Sequence, residues 1–315
     1  MFAVKRIFPF LVAFLFLCGT AEAYPSGWRV VRGDSVRVFY RDGRQPLAKD
    51  VLALSRRTLP DLCHLLGLSF PGEAFIFLAE KGTEWENATR RSLPEWSQGV
   101  ALPDVGMVFL KLDAAGKDWR VVLRHELVHV ILGKNFPPGL IPRWFEEGLA
   151  TFYSGEEKGN FSEVLSRANL TGSLIPLGEI EKVLQFERGK ASLAYAESFL
   201  AVKLLIESIG WEGIRSLLQR LQENHDWAAA FSATLGMDEI DFEWYLEKHI
   251  HEHYRWNFLL QSDFLVWVIV PFLAVVGFLA VRFRKYRRYR QWDLEERELT
   301  EEESRGEENQ DSELP

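Results

Sequence analysis

The stretch "RHELVHVILG", residues 124–133, sets two histidines four positions apart with a glutamate directly after the first. On a helix, residues four apart lie about one turn above each other. His125 and His129 then aim two imidazoles at one point, and Glu126 is turned aside around the helix. Two readings compete: a metal centre, or a helix that happens to carry two histidines. The pattern is short enough to arise by chance, so its surroundings must decide. A catalytic zinc takes three protein ligands and keeps a fourth position open. The third ligand must therefore come from elsewhere in the chain.

The next segment offers one. "KNFPPGLI" (134–141) reads as a turn, and Pro142 opens a second helix, "PRWFEEGLATFYSG" (142–155), at the position where proline is welcome. The turn can fold this helix back on the first and present Glu146 and Glu147. Glu147 precedes Gly148, Leu149 and Ala150, and the small Gly and Ala are expected to let helix and metal site approach closely. Thr151, one turn further on, is placed to hydrogen-bond a ligand from behind. Glu146 shares a turn with Arg143 and reads as a surface ion pair.

Upstream, "WRVVRGDSVRVFY" (28–40) reads as a β-hairpin around Gly33-Asp34. Leucines and valines from Leu47 to Leu65 form a helical stripe ending near Gly67. "EAFIFLA" (73–79) and "GMVFLKL" (106–112) read as strands, with loop over 80–95. The histidine helix is expected from about Asp118 to Leu132, with Gly133 as its stop. Beyond 155 the patterns are almost all helical to Tyr254, divided at Gly210-Trp211 and Gly236. The expected class is α+β: an N-terminal α/β part (24–112) with a small mixed sheet, then a helical part (113–257).

The two ends read as topogenic. Lys5 and Arg6 precede an apolar run, and Ala21-Glu22-Ala23 supplies a cleavage site, so residues 1–23 read as a signal peptide. An uncleaved anchor is the alternative. "FLVWVIVPFLAVVGFLAV" (264–281) is long enough to span a bilayer, and "RFRKYRRYR" behind it marks the cytoplasmic side. Residues 282–315 read as a basic, then acidic, disordered cytoplasmic tail. The expectation is a single-pass protein of the cell membrane with its body outside the cytoplasm. From Asp293 onward eleven acidic and two basic residues give a local −9, which leaves about +1 for the rest of a −8 chain. Such a body has no nucleic-acid footprint. Cys63 is the one thiol left in the exported part and reads as a core residue. His249 and His253 in "HIHEHY" are also four apart and read as a solvated helix before the span.

"RHELVHV" followed by "PRWFEEGLATFY" resembles the gluzincin metallopeptidases, more narrowly the peptidase MA-like families. There an H-E-x-x-H helix is followed by a W-x-x-E-G-L/F-A helix that carries the third ligand. "PEWSQGVALPDVGMVFLKL" (94–112) and "LAYAESFLAVKLLIESIGWEGIRSLL" (193–218) extend the resemblance over most of the body. Seventeen residues separate His129 from Glu147, slightly fewer than in M1-type aminopeptidases, which argues against a true M1 enzyme. The resemblance implies a zincin-like fold and one Zn2+ per chain, held by His125, His129 and Glu147. It implies Glu126 as general base and a peptide or protein as substrate. It further implies that Gln98, Gly99, Val100 and Ala101 form an edge strand for an extended substrate, with an ordinary sheet edge as the alternative. Tyr195 is implied as an oxyanion donor; a packing role remains open, and Tyr153 is a rival. A noncatalytic peptide- or protein-binding chain of the same fold is the competing function, against which the intact Glu126 argues.

Overall fold

The computed structural model describes residues 27–80, 97–112, 118–155, 161–254, 269–288 and 290. They fall into two compact units, Met1–Arg255 and Trp256–Pro315.

In the first unit, β1 (Arg29–Arg32) and β2 (Val36–Tyr40) form the expected hairpin. With β3 (Ala74–Ala79), β4 (Gly99–Leu102) and β5 (Met107–Lys111) they make a five-stranded sheet in the order β1-β2-β3-β5-β4. β2, β3 and β5 run parallel, while β1 and β4 pair antiparallel at the outsides, so the sheet is mixed. Successive strand residues face opposite sides. Val38, Ile76, Leu78, Val108 and Leu110 turn towards the helices and join the main core. Phe75, Phe77 and Phe109 turn the other way, where Phe77 stacks between Phe39 at 4.5 Å and Phe109 at 5.0 Å.

Helix α1 (Gln45–Leu66) buries Val51, Leu59 and Leu62 and ends on Gly67 in the left-handed region, as expected. Helix α2 (Trp119–Asn135) starts at Asp118, whose side chain accepts from the Arg120 amide. It does not stop at Gly133. A Cβ there would stand 2.1 Å from Cβ of Pro103, so this glycine lets the 3₁₀ turn Pro103–Val105 lie against the helix. Helix α3 (Arg143–Ser154) begins one residue later than expected, with Pro142 as its extended cap. Pro142 has no side-chain acceptor, and Glu181 Oε1 takes the Arg143 amide instead at 2.7 Å.

The helical half follows. Helix α4 (Phe161–Thr171) and a 3₁₀ segment (Leu177–Gln185) lead into α5 (Arg188–Asn224), which kinks at Gly210 where φ is 65°. Helices α6 (Trp227–Leu235) and α7 (Glu239–His253) complete the unit. Trp144 of α3 packs among Phe145, Trp227, Phe231 and Phe242, and its Nε1 donates to Glu239 Oε1 at 3.3 Å. On the next turn, a Cβ on Gly148 would stand 2.2 Å from the Ser198 carbonyl oxygen, so α3 lies directly on α5. The α+β expectation is met in this unit.

In the second unit, residues 269–288 are helical and their apolar side chains are exposed. Among the described residues no helix is long and apolar enough to cross a membrane. The described helix starts five residues inside the expected span 264–281, and its last turns carry the basic run. Residues 282–288, expected to be disordered, continue this helix. Arg, Lys and Tyr impose no break there. The expected signal segment, residues 264–268 and the acidic tail lie outside the described residues.

Candidate metal centre

Helix α2 is buried over its whole central part, histidines included. A buried imidazole needs a polar partner, and α3 provides carboxylates. His125 Nε2 lies 3.3 Å from Glu147 Oε2, and His129 Nε2 lies 3.5 Å from the same atom. These three donor atoms all lie within 4.8 Å of one another, and all three residues are buried. Glu147 is 2% exposed, yet its Oε2 has no hydrogen-bond partner among the described residues. A buried carboxylate oxygen aimed between two imidazole nitrogens fits a cation at their meeting point. Of the described His, Cys, Asp and Glu residues, this is the group that can hold a metal. His249 and His253 stack face to face at 4.1 Å instead of converging with a third ligand.

The other oxygen of Glu147 is taken: Oε1 lies 2.6 Å from Arg143 Nη2. Glu146 is not the surface partner expected of it. Its Oε1 lies 2.9 Å from His129 Nδ1 and its Oε2 accepts from Arg143 Nη1 at 3.0 Å. A carboxylate on the far nitrogen of an imidazole fixes which nitrogen faces the metal. Thr151, expected in that supporting role, is buried, and its Oγ1 has no hydrogen-bond partner among the described residues. The sequence reading missed both Arg143 and Glu146 as parts of the site. The signal was present in "RWFEE", which puts one guanidinium a turn before two consecutive carboxylates.

The electrostatics follow from this packing. Burial opposes charge on His129, but Glu147 and Glu146 outweigh it and push its pKa up to about 10. Burial likewise opposes charge on Glu147, and Arg143 and His129 reverse it, holding the carboxyl well below its usual range. Glu146 is lowered in the same way, chiefly by His129. A cation at the three converging atoms would take over the charge that the His129 proton supplies. Glu126 behaves differently: burial raises its pKa, although His125 and His129 pull the other way.

Glu126 is 7% exposed and lies against strand β4. A Cβ on Gly99 would stand 2.6 Å from both Glu126 Oε1 and Val122 Cγ1, so a larger residue there would have to displace the Glu126 and Val122 side chains. β4 is an outer strand of the described sheet, and Gln98 leads into it with a buried Oε1 that has no hydrogen-bond partner among the described residues. Val100 and Ala101 follow, both partly exposed. The Tyr195 ring stands edge-on to His125 at 6.4 Å; burial opposes charge on Arg143, and Glu147, then Glu146, then Tyr195 outweigh it and raise its pKa. Tyr153 instead senses Asp61 and Arg124, and burial raises its pKa. The half-buried Cys63 thiol is also raised by burial, away from this site.

An H-E-x-x-H helix whose third partner is a glutamate on the following helix is the arrangement of a gluzincin peptidase. A family model described as the Peptidase MA superfamily matches residues 68–251, which takes in β3 to most of α7. The chain belongs to that superfamily. No curated protein matches its sequence.

Proposed function

We propose that this chain is a zinc metallopeptidase of the cell membrane, hydrolysing peptide bonds outside the cytoplasm. The observation that carries the reading is the convergence of buried Glu147 Oε2 with two imidazole nitrogens, at 3.3 and 3.5 Å. Tetrahedral zinc with bonds of about 2.0–2.1 Å has ligand atoms about 3.3–3.4 Å apart. The distances of 3.3 and 3.5 Å fit that edge. Two neutral imidazoles and one carboxylate are also a usual ligand set for a catalytic zinc.

Bound zinc would acidify a water and polarise the substrate carbonyl. The chain's own residues supply the rest. Glu126 is buried, lies outside the ligand set and has a raised pKa, which suits a group that must accept and return a proton. It takes the proton from the attacking water and delivers it to the leaving amine. Tyr195, whose ring stands beside His125, would donate its hydroxyl to the developing oxyanion. Residues 98–101 lead along β4 past Glu126, so an extended peptide paired to that strand brings its backbone to the base. Membrane attachment rests on the signal-like 1–23 and the apolar 264–281 with its basic flank.

Glu126→Gln tests the reading, because amide for carboxylate keeps size and removes the base. The full chain and this variant are compared for zinc by elemental analysis and for hydrolysis of a peptide library. We expect one zinc per chain in both and a loss of about 10²–10⁴-fold in rate in the variant. Equal activity in both proteins removes the mechanism. Zinc without hydrolysis in either favours a peptide-binding protein of the same fold.

A further inference from the structure

Resting on the metallopeptidase reading, we propose that Arg143 is a positioning residue. Acting on Glu146 and Glu147 together, it makes Glu147 offer the metal one oxygen and keeps the His129 ring in register. A carboxylate can meet a metal through one oxygen or both. The second oxygen would occupy the open position that a hydrolytic metal needs for water and substrate. Here Glu147 Oε1 is held by Arg143 Nη2 at 2.6 Å, and only Oε2 faces the imidazoles. The other arm of the same guanidinium holds Glu146 Oε2 at 3.0 Å, and Glu146 Oε1 lies 2.9 Å from His129 Nδ1. Two of the three ligands thus end on one planar fork.

That fork is itself anchored. Arg143 is the first residue of α3, its amide is held by Glu181, and Trp144 beside it is locked in the aromatic cluster. Lysine keeps the charge but carries one compact ammonium, which cannot present two arms in fixed geometry. Arg143→Lys therefore separates charge from geometry. Glu146→Gln removes a charge while leaving an oxygen for the His129 nitrogen.

The full chain, Arg143→Lys, Arg143→Met and Glu146→Gln are stripped of metal and checked for folding by circular dichroism. Zinc affinity is then measured by competition with a chromophoric chelator. Cobalt(II) is substituted, and its visible bands, strongest at low coordination number, are recorded. We expect Arg143→Lys to bind zinc about 10–100-fold more weakly, the range for losing a group behind a ligand. We also expect its cobalt bands to weaken as the freed Glu147 oxygen joins the metal. Glu146→Gln should weaken affinity and keep the native bands, since Arg143 still holds Glu147. Arg143→Met, which removes fork and charge together, should match or exceed the loss in Arg143→Lys; if it does not fold, the charge-retaining Arg143→Lys decides. Native affinity in Arg143→Lys, or weaker affinity with unchanged bands, overturns the proposal and leaves Arg143 a structural residue. Failure of the native chain to bind zinc removes the metallopeptidase reading, and the proposal with it.

Discussion

Two consecutive glutamates show how far a single residue can be read. Glu146 and Glu147 point about 100° apart on one helix. The sequence singles out Glu147 as the ligand because of the small residues after it, and Glu147 does meet both histidines. Glu146 looked like a solvent-facing partner of Arg143 because an i, i+3 pair carries no sign of burial. Only the packing of α3 on α2 reveals that His129 lies on its other side. Another buried acid, Glu197, gave no sign at all. It is 2% exposed, and its two oxygens accept from the Ile175 amide at 3.0 and 3.3 Å. Burial raises its pKa from the ordinary 4.5 to about 8; Glu243 and Glu247 push the same way, and the Ile175 amide and Lys190 oppose. Between those values the folded chain keeps a proton that the unfolded chain has lost. This contribution to stability is therefore full below about pH 4.5 and is lost as the pH rises through about 8. Urea unfolding of metal-free native chain and Glu197→Gln across that window checks it. The native chain should lose stability with pH more steeply than the variant, by up to about 1.4 kcal/mol per pH unit. Parallel curves would show that Glu197 titrates alike in both states.

At the scale of elements, periodicity and turn chemistry were legible and close approaches were not. The hairpin, the helix ending on Gly67 and the break at Gly210 each follow from local residues that no other conformation suits as well. Gly133 was misread as a stop because a glycine late in a helical pattern looks the same whether it ends the helix or admits a neighbour. Pro103, thirty residues earlier in the chain, is what decides. Gly148 was expected to let its helix approach the metal site, but the neighbour it admits is α5, which no local pattern names. Gly148→Ala tests that contact. Alanine favours an isolated helix by about 1 kcal/mol. Against this, its Cβ would stand 2.2 Å from a backbone oxygen on α5, which cannot rotate away. Overpacking of this kind costs about 1–3 kcal/mol or more, so the variant should melt lower than the native chain. Glu147 is the preceding residue, so zinc affinity should fall as well. Gly189→Ala on α5, with nothing within 4 Å of the new Cβ, is the control and should leave the melting temperature unchanged or slightly higher. A Gly148→Ala chain as stable as the native would show that α3 and α5 can separate at no cost.

At the scale of the whole molecule, charge and hydropathy say more than packing does. The acidic excess is gathered beyond Asp293, and the basic run "RFRKYRRYR" lies between it and the apolar stretch. Positive residues beside a span resist translocation, whereas acidic residues contribute little to orientation. In the proposed topology the signal-like start would send the body across the membrane, and the basic run would hold the segment behind it inside. Residues 24 to about 260 should therefore be exported, and residues from 282 onward should remain in the cytoplasm. The described helix over 269–288 exposes its apolar side chains but is not long and apolar enough to cross a membrane, so the topology rests on the sequence pattern. Protease added to sealed spheroplasts carrying a C-terminally tagged chain should digest the body and spare the tag. Lysis should then expose the tag to the same protease. A tag digested in sealed cells while the body survives would reverse the orientation. It would also put the metal centre in the cytoplasm, where no exported peptide could reach it.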